Sequence, residues 1–321
     1  MELVTLADVH AAAARLRGVA YRTPLIPAHA HDGVFFKPEN LQPIGSFKIR
    51  GAYNKIASLS AEERARGVIA YSSGNHAQGV AYAAQKLGIR AVVVMPENAP
   101  QIKIANTRGY GAEVVLYDPL RERRESVAAR LQADGGYALV PPFNDPFVIA
   151  GQGTIGLEIY ADLPDIDLVI APVGGGGLLS GTAVALKQLK PTVRVIGVEP
   201  AAAADAQASL REGRIVTITP EQAAQTLADG VRTLHVEPIT FAHLQHYADD
   251  ILTVTESELI DAARQILLTH KLMIEPTAAL PYAAYLFRRD SLPNAARTVI
   301  VLSGGSVDPA VLARLVMGDS A

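Results

Sequence analysis

Cysteine is absent from the 321 residues of this sequence. Its absence excludes a disulfide framework, a thiolate metal site and a cysteine nucleophile. The sequence also lacks any run of about 18 apolar residues, the length that a membrane-spanning helix needs. Its first residues, Met1-Glu2-Leu3-Val4, contain no basic region leading into an apolar stretch. We therefore expect no membrane span and no secretory signal, and the cytoplasm is the expected location.

An excess of charge of one sign is missing as well. The formal net charge is −3, and 19% of the residues are charged against 49% that are hydrophobic. Proteins that bind nucleic acid usually carry a basic patch, so we do not expect nucleic acid as the main partner. The sequence shows no low-complexity linker and no internal repeat. These features indicate a globular chain that is long enough for one or two well-filled cores.

Short apolar runs rich in β-branched residues alternate with helical patterns almost from end to end. This alternation is typical of parallel α/β architecture. Most of the runs are continuous rather than alternating, as expected of strands that are covered on both faces. The predicted strands are Val34–Lys37, Val68–Ser72, Arg90–Met95, Glu113–Tyr117, Tyr137–Val140, Leu168–Val173, Val193–Val198, Ile251–Val254 and Thr298–Leu302.

So many strands do not fit one compact doubly wound sheet, and the sequence therefore predicts two domains. Residues 66–145 would form a small domain, inserted in a larger one made of residues 1–65 and 146–321. Thr5–Asp8 and Thr255–Glu258 fit the capping box that starts a helix. Ser46 is predicted to cap a helix that runs to about Leu59.

Four consecutive glycines, Gly174, Gly175, Gly176 and Gly177, stand between a predicted strand and a predicted helix over residues 182–189. Because ordering a glycine costs much entropy, such a run is typical of a backbone that something approaches closely. The free N–H groups and the dipole of the helix start favour an anion there, above all a phosphate. An ordinary flexible turn is the alternative.

The phosphate motifs of nucleotide-binding proteins do not fit this loop. A Walker motif needs a lysine after its last glycine, whereas Gly181 is followed by Thr182. The dinucleotide motif needs a third glycine where the sequence has Leu179 or Ser180. Glu199 follows the next predicted strand, roughly where a ribose-binding acid would lie. An NAD-dependent dehydrogenase therefore stays as a remote alternative.

Two further loops follow predicted strands. The hydroxyls, amide and N–H groups of Ser72–His76 suit a carboxylate, and an ordinary N-capping turn is the alternative. Ser303-Gly304-Gly305 follows the last predicted strand. Open α/β sheets bind ligands at the carboxyl ends of their strands, so we expect these loops and the glycine run to meet in one crevice.

Lys48 lies in the first turn of a predicted helix. The helix dipole disfavours a positive charge at this end. Its apolar neighbours Phe47 and Ile49 would desolvate the ammonium, and burial favours the neutral amine that a Schiff base requires. A surface lysine on an amphipathic helix is the alternative.

Taken together, these segments resemble the fold-type II pyridoxal-phosphate enzymes, within them the threonine/serine dehydratase and serine racemase group. The resemblance covers about residues 5–315 and implies two open parallel-sheet domains like those of tryptophan synthase β. The matching segments occur in the family's order. They are Gly45-Ser46-Phe47-Lys48-Ile49-Arg50-Gly51-Ala52, Ser72-Ser73-Gly74-Asn75-His76, Ile149-Ala150-Gly151-Gln152-Gly153-Thr154, Gly174–Gly177 and Ser303-Gly304-Gly305.

The resemblance implies a role for each matching residue around the cofactor. Lys48 would carry pyridoxal 5'-phosphate as a Schiff base and would act as acid and base at the substrate Cα, with Phe47 packed against the ring. Asn75 would donate a hydrogen bond to the phenolic oxygen of the cofactor, and Ser303 would face its pyridine nitrogen. The phosphate would be held by Gly174, Gly175, Gly176, Gly177 and Leu178.

The resemblance also implies residues for the substrate and for a cation. In racemising members, the serine that matches Ser73 is the base on the opposite face of the substrate. Some members bind a divalent cation at positions matching Glu199, the backbone carbonyl of Ala203 and Asp205, where oxygen ligands suit Mg²⁺ or Ca²⁺. Two solvated acidic residues are the alternative. The substrate carboxylate would be held by Ser72, Ser73, Gly74, Asn75 and His76.

The activity implied is a β-elimination that converts a 3-hydroxy amino acid, such as L-threonine or L-serine, to a 2-oxo acid and ammonia. A serine racemase, or a dehydratase of hydroxyaspartate or phenylserine, is the alternative. The loop around Phe143 resembles that of the dehydratases, whereas Ala77 and Ser306 depart from residues that are frequent in the family. The resemblance also implies a homodimer with a small amino acid as its substrate.

Overall fold

A computed structural model of the chain describes residues 2–29, 31–72 and 74–317. The strands are β1 (Ile26–Pro27), β2 (Val34–Pro38), β3 (Val68–Tyr71), β4 (Ala91–Pro96), β5 (Glu113–Tyr117), β6 (Ala138–Leu139), β7 (Leu168–Pro172), β8 (Arg194–Pro200), β9 (Asp250–Val254) and β10 (Thr298–Leu302). The helices are α1 (Leu6–Arg15), α2 (Lys48–Ala57), α3 (Ala61–Arg66), α4 (Asn75–Leu87), α5 (Gln101–Gly109), α6 (Arg124–Gly135), α7 (Pro146–Asp162), α8 (Gly177–Leu189), α9 (Asp205–Glu212), α10 (Pro220–Ala223), α11 (Pro238–Tyr247), α12 (Glu256–Leu268), α13 (Pro276–Phe287) and α14 (Pro309–Met317).

The strands form two sheets. The larger has the order β1-β2-β10-β7-β8-β9, and the smaller has the order β5-β4-β3-β6. All pairings are parallel except that of β1 with β2. The predicted α/β class with two open parallel sheets is thus confirmed. Among the described helices, none combines the length and apolar composition needed to cross a membrane.

The strands of the smaller sheet lie between residues 68 and 139, inside the segment 66–145 that the sequence predicts as a small domain. Helix α2 precedes that segment, yet its apolar residues Ile49 and Ile56 share one core cluster with the smaller sheet. Part of the segment before residue 66 therefore packs with the smaller sheet. The domain boundaries themselves remain a prediction.

The central strands of the larger sheet are covered on both faces. Along β7, Leu168 and Ile170 pack with the cluster that contains α12 and α13. Val169 and Ala171 point the other way and pack with residues of α7 and α8. Successive residues of a strand face opposite sides, so burial on both faces requires the continuous apolar run that the sequence shows.

All nine strands predicted from apolar runs are present, with ends that differ by at most two residues. The added strand β1 escaped prediction because it has two residues and no apolar run. Both predicted capping boxes are formed, at Thr5 and at Thr255.

The prediction for Ser46 is wrong. Helix α2 begins at Lys48 after Phe47, with no side-chain cap, because Ser46 pairs with Gly304 in a β-bridge. Helix α8 also begins earlier than predicted, at Gly177 rather than at Thr182.

A buried ion network fixes the start of α2. The guanidinium of Arg50 donates to both carboxylate oxygens of Glu39, at 2.7 and 2.8 Å, and to both of Glu158, at 2.6 and 2.8 Å. Lys37 donates to Glu158 at 2.6 Å and to the carbonyl of Thr23 at 2.6 Å. Burial works to raise the pKa of Glu39, but Arg50 outweighs it and holds that pKa below its usual value. The network ties α2 to α7 and to the turn that follows β2.

Replacing Arg50 with methionine should destabilise the fold strongly. The change leaves Glu39 buried without its cation, and breaking a buried pair from one side costs about 3–5 kcal/mol. We expect a large fall in the urea midpoint, measured by circular dichroism. The matched control is Arg90→Met, which removes the exposed pair of Arg90 with Glu113 and should hardly move the midpoint. Equal shifts in the two variants would contradict a special role for the Arg50 network.

Candidate active site

Lys48 is the first residue of α2, and its side chain is buried. Its Nζ donates to the carbonyl of Pro142 at 2.8 Å and lies 5.2 Å from the centre of the Phe47 ring. Burial lowers the pKa of Lys48 to about 8, although the nearby Glu275 carboxyl acts in the opposite direction. About a tenth of the side chain is therefore a neutral amine at pH 7, far more than in an exposed lysine, and the neutral amine is the form that attacks a carbonyl group.

The loop after β10 is joined to the segment before α2 by backbone hydrogen bonds. The N–H of Phe47 donates to the carbonyl of Ser303 at 3.1 Å, and the N–H of Gly305 donates to that of Gly45 at 2.8 Å. The side chain of Ser303 is buried, and its Oγ has no hydrogen-bond partner among the described residues. A lone buried hydroxyl next to the Lys48 segment is a group that a polar ligand atom would satisfy.

Asn75, the first residue of α4, connects the second loop to the loop after β10 through Glu275. Its Nδ2 donates to Oε1 of Glu275 at 2.7 Å, and the N–H of Glu275 donates to the carbonyl of Gly304 at 3.0 Å. Within the described ranges, Oδ1 of Asn75 and Oε2 of Glu275 have no partner. Burial raises the pKa of Glu275 to about 7. Two of the three loops that were expected to meet, those of Asn75 and of Gly304, thus lie side by side.

Glu275 was not among the residues expected in the site. An acidic residue followed by Pro276 marks an ordinary helix start, and Glu275 does precede helix α13. Its position beside Asn75 depends on two segments that are 200 residues apart. No local pattern announces such a contact.

The glycine run shapes the turn into α8. Gly176 has a φ of 87°, in the left-handed region that favours glycine. The first intrahelical bond in this turn runs from the N–H of Ser180 to the carbonyl of Gly176, so the earlier N–H groups of the helix remain available to an anion. The turn includes the N–H of Leu178, which was predicted to bind phosphate. The groups expected to form a phosphate cradle are therefore present.

Three of these glycines are also required by packing, because a side chain there would clash with neighbouring protein atoms. A Cβ on Gly175 would lie 2.3 Å from the Phe143 ring, one on Gly177 would lie 2.9 Å from the Phe143 Cβ, and one on Gly174 would lie 3.0 Å from the Cα of Val231. The close approach inferred from the glycine run thus comes from protein atoms as well. The same segment, Pro142-Phe143, covers both the glycine loop and the amine of Lys48.

The segment predicted to hold the substrate carboxylate is only partly described. Ser73 lies outside the described residues. Oγ of Ser72 accepts a hydrogen bond from the N–H of Gly74 at 3.2 Å. His76 is buried, and its Nε2 lies 2.8 Å from the carbonyl of Val140. Burial, with a smaller effect of Lys48, lowers the pKa of His76 to about 3, so its ring is neutral and brings no positive charge to a carboxylate.

Glu199 and Asp205 lie together at the end of β8 and the start of α9. The carboxylate of Glu199 accepts from the N–H groups of Ala206 at 3.1 Å and Gln207 at 2.7 Å. The Glu199 carboxylate is thus bound to the start of α9. This position does not support the ribose contact of the dehydrogenase alternative. Both oxygens of Asp205 are buried and lack a partner among the described residues.

The two carboxyls and the buried Ala203 provide oxygen atoms that fit a hard cation. Burial raises the pKa of Glu199 and raises that of Asp205 to about 7. The described part of the chain contains no cluster of three or more His, Cys, Asp or Glu side chains arranged for a metal ion. A cation at this place would therefore depend on two carboxylates and backbone carbonyls.

The groups in the crevice fit pyridoxal 5'-phosphate. Lys48 offers an amine of lowered pKa, and the α8 start offers N–H groups for a phosphate. Ser303 offers a buried hydroxyl without a partner among the described residues, and the Asn75 amide has a second N–H besides the one that it donates to Glu275. These are four different groups, and each matches a different part of the cofactor.

Comparisons with known proteins agree with this fit. Residues 16–304 match the family described as "Pyridoxal-phosphate dependent enzyme". The chain is 46% identical to an L-threonine ammonia-lyase of Thermotoga maritima, over 98% of this chain and 78% of that protein. It is 42% identical to an L-threo-3-hydroxyaspartate ammonia-lyase of Saccharomyces cerevisiae, over 99% of this chain and 98% of that protein.

A solved structure of maize serine racemase has the same fold. It superposes with a TM-score of 0.92 at 35% identity, and the match covers 97% of this chain and 96% of that one. The remote alternative of an NAD-dependent dehydrogenase has no support in these similarities. From the family match over most of its length, the chain belongs to the pyridoxal-phosphate dependent enzymes, in the group of ammonia-lyases and racemases.

Proposed function

We propose that this protein is a dehydratase that converts L-threonine or L-serine to a 2-oxo acid and ammonia. The observation that carries the proposal is the buried hydroxyl of Ser303, which has no partner within the described ranges and lies beside the segment that bears Lys48. Similarity to ammonia-lyases over nearly the whole chain supports the reaction class. Similarity to serine racemases supports racemisation as the second candidate.

When bound, pyridoxal phosphate supplies an electron sink for the negative charge that develops at the substrate Cα. In this proposal, the Ser303 hydroxyl contacts the pyridine nitrogen without holding a proton on it. A carboxylate at the same place would keep that nitrogen protonated and would make a stronger sink. With such a sink, loss of the β-hydroxyl as water would be favoured over an accumulation of negative charge at the substrate Cα.

Lys48 is proposed to hold the cofactor and then to take the proton from the substrate Cα. Its pKa of about 8 lets the free amine accept this proton near neutral pH. Its contact with the Pro142 carbonyl keeps the amine inside the crevice, and Phe143 helps to exclude water from the same region. Asn75, oriented by Glu275, is proposed to donate to the phenolic oxygen of the cofactor.

The start of α4 is proposed to bind the substrate carboxylate. The free N–H groups of a helix start attract an anion, and Ser72, Ser73, Gly74 and Asn75 surround this start. His76 contributes as a neutral, fixed ring rather than as a cation. In the racemase alternative, Ser73 would be the base on the opposite face.

We propose two further properties that the resemblance implies. Glu199, the Ala203 carbonyl and Asp205 would hold Mg²⁺ or Ca²⁺, supported by the buried and unpartnered oxygens of Asp205. The enzyme would also act in the cytoplasm. It would be a homodimer, and sedimentation velocity on the purified protein tests this oligomeric state.

The Lys48→Ala variant tests the reaction. The purified wild-type enzyme should absorb visible light through its bound cofactor and release keto acid from L-threonine or L-serine. In Lys48→Ala, the absorbance should vanish and turnover should fall by about 10²–10⁴-fold or more. Lys86→Ala, at an exposed lysine of α4, is the control and should behave like the wild type. A Lys48→Ala variant that is coloured and active would contradict the proposal. Racemised serine without keto acid from the wild-type enzyme would favour the racemase alternative.

The pH dependence of cofactor binding tests the pKa of Lys48. Because burial lowers this pKa to about 8, the neutral amine becomes dominant above about pH 8. In an exposed lysine, whose pKa is about 10.4, it becomes dominant only above that pH. Cofactor-free protein mixed with pyridoxal phosphate should therefore gain visible absorbance at a rate that rises with pH, is half-maximal near pH 8 and levels off above about pH 9. A rate that keeps rising to pH 10 would mean that Lys48 is solvated in the cofactor-free protein.

Removal of divalent cations tests the proposed cation site. A chelator should lower the melting temperature of the wild type, and Mg²⁺ or Ca²⁺ should restore it, because cation binding to the folded state alone stabilises that state. Asp205→Asn should not respond to either treatment. Asp261→Asn, at an exposed position of α12, is the control that keeps the response. A wild type that is insensitive to the chelator and to both cations would rule the site out.

A further inference from the structure

An ion pair between the unit of the smaller sheet and the unit of the larger sheet borders the candidate active site. Lys103 lies in the first turn of α5, next to the smaller sheet, and its side chain is buried. Its Nζ donates to Oδ2 of Asp229 at 2.5 Å. Asp229 begins a short 3₁₀ turn in the segment between α10 and α11. The pair thus joins a helix of the smaller unit to a loop of the larger one.

On one side, the pair touches the segment proposed for the substrate carboxylate. A Cβ on Gly74 would lie 3.3 Å from Nζ of Lys103. Gly74 immediately precedes α4, whose start carries Asn75 and the free N–H groups. The ammonium of Lys103 therefore lies against Gly74 of the segment Ser72–His76, which we call the substrate loop, rather than at the outer surface.

On the other side, Gly230, the residue after Asp229, lies against the first glycine of the glycine loop. The N–H of Gly230 donates to Oγ1 of Thr277 at 2.9 Å. A Cβ on Gly174 would lie 3.3 Å from the carbonyl of Gly230. Asp229 thus holds the cation of Lys103 at a defined place between the substrate loop and the phosphate loop.

The charges around Lys103 come from several elements. Glu275, before α13, acts on both Lys103 and Lys48, and Arg232 acts on Lys103 from the larger unit. Burial works to lower the pKa of Lys103, but Glu275 and Asp229 outweigh it, so the ammonium stays charged. A charged lysine of this kind is a partner that a second substrate carboxylate would need in a dry crevice.

We infer that Lys103 and Asp229 set the charge of the substrate side chain that the site accepts. Asp229 neutralises the ammonium beside the substrate loop, which favours a 3-hydroxy amino acid with an uncharged side chain. The second carboxylate of a substrate such as 3-hydroxyaspartate could pair with Lys103 only by displacing the carboxylate of Asp229. The inference rests on the proposed reaction of 3-hydroxy amino acids and makes Lys103 a specificity-determining residue.

Asp229→Asn tests this inference because asparagine keeps the shape and removes the charge. We expect the ratio of kcat/KM for L-threo-3-hydroxyaspartate to that for L-serine to rise about tenfold or more, the effect of freeing one charged hydrogen-bond partner. In the double variant with Lys103→Met, the gain should disappear. Binding gives a second readout: succinate should gain affinity over butyrate in Asp229→Asn, measured by cofactor fluorescence.

The matched control breaks a lysine–aspartate pair far from the crevice. Lys187 and Asp249 form such a pair at 2.6 Å, and both side chains are largely buried. Asp249→Asn should lower stability without changing either ratio. If Asp229→Asn lowers kcat/KM equally for both substrates and leaves the succinate-to-butyrate ratio unchanged, the pair is only a brace between the halves, and the inference is wrong.

The failure of the proposed reaction would have a different signature. In that case, the wild type would release keto acid from none of the 3-hydroxy amino acids. The relative affinities of succinate and butyrate in the two proteins would still decide whether Lys103 and Asp229 control charge. A ratio that rises in Asp229→Asn supports the inference, and an unchanged ratio overturns it.

Discussion

The contact between Arg50 and its two carboxylates, Glu39 and Glu158, is the constraint on which the active site depends. Burying these charges costs much free energy, which is recovered only when the ions meet in good geometry. Arg50 is bidentate to each acid, so this geometry leaves the first turn of α2 little freedom. Lys48 lies two residues earlier in the same turn. Its amine is thus held in place by charges that take no part in the chemistry.

The network and the site use buried ionisable groups in opposite ways. In the network, Glu39 and Glu158 outweigh the effect of burial on Arg50 and raise its pKa, so the guanidinium remains charged. Burial still lowers the pKa of Lys37, although Glu158 acts in the opposite direction. In the site, burial lowers the pKa of Lys48 and His76 and raises that of Glu275, because these groups have too few partners to offset desolvation. Lys48 and Glu275 can therefore change charge near neutral pH, whereas His76 stays neutral. Such groups can move a proton, whereas a fully paired ion such as Arg50 cannot.

Much of the fold and of the cofactor site was predictable because the signals are local. Continuous apolar runs give the buried strands, and the glycine run and the Lys48 motif come from short stretches. The failures are contacts between distant segments. Ser46 looked like a helix cap, but it pairs with Gly304, more than 250 residues away. Glu275 and Lys103 resemble an ordinary helix start and an ordinary surface lysine until the fold brings them beside Asn75 and Gly74.

The choice of substrate must depend on such distant contacts. Relatives named as a threonine ammonia-lyase, a hydroxyaspartate ammonia-lyase and a serine racemase all match nearly the whole chain. The glycine loop and the start of α4 bind anions largely through backbone N–H groups, which every amino-acid substrate can use alike. Discrimination therefore has to come from the few side chains that border these backbone sites. Lys103 borders the substrate loop, and its charge is matched by a residue from the other half of the molecule.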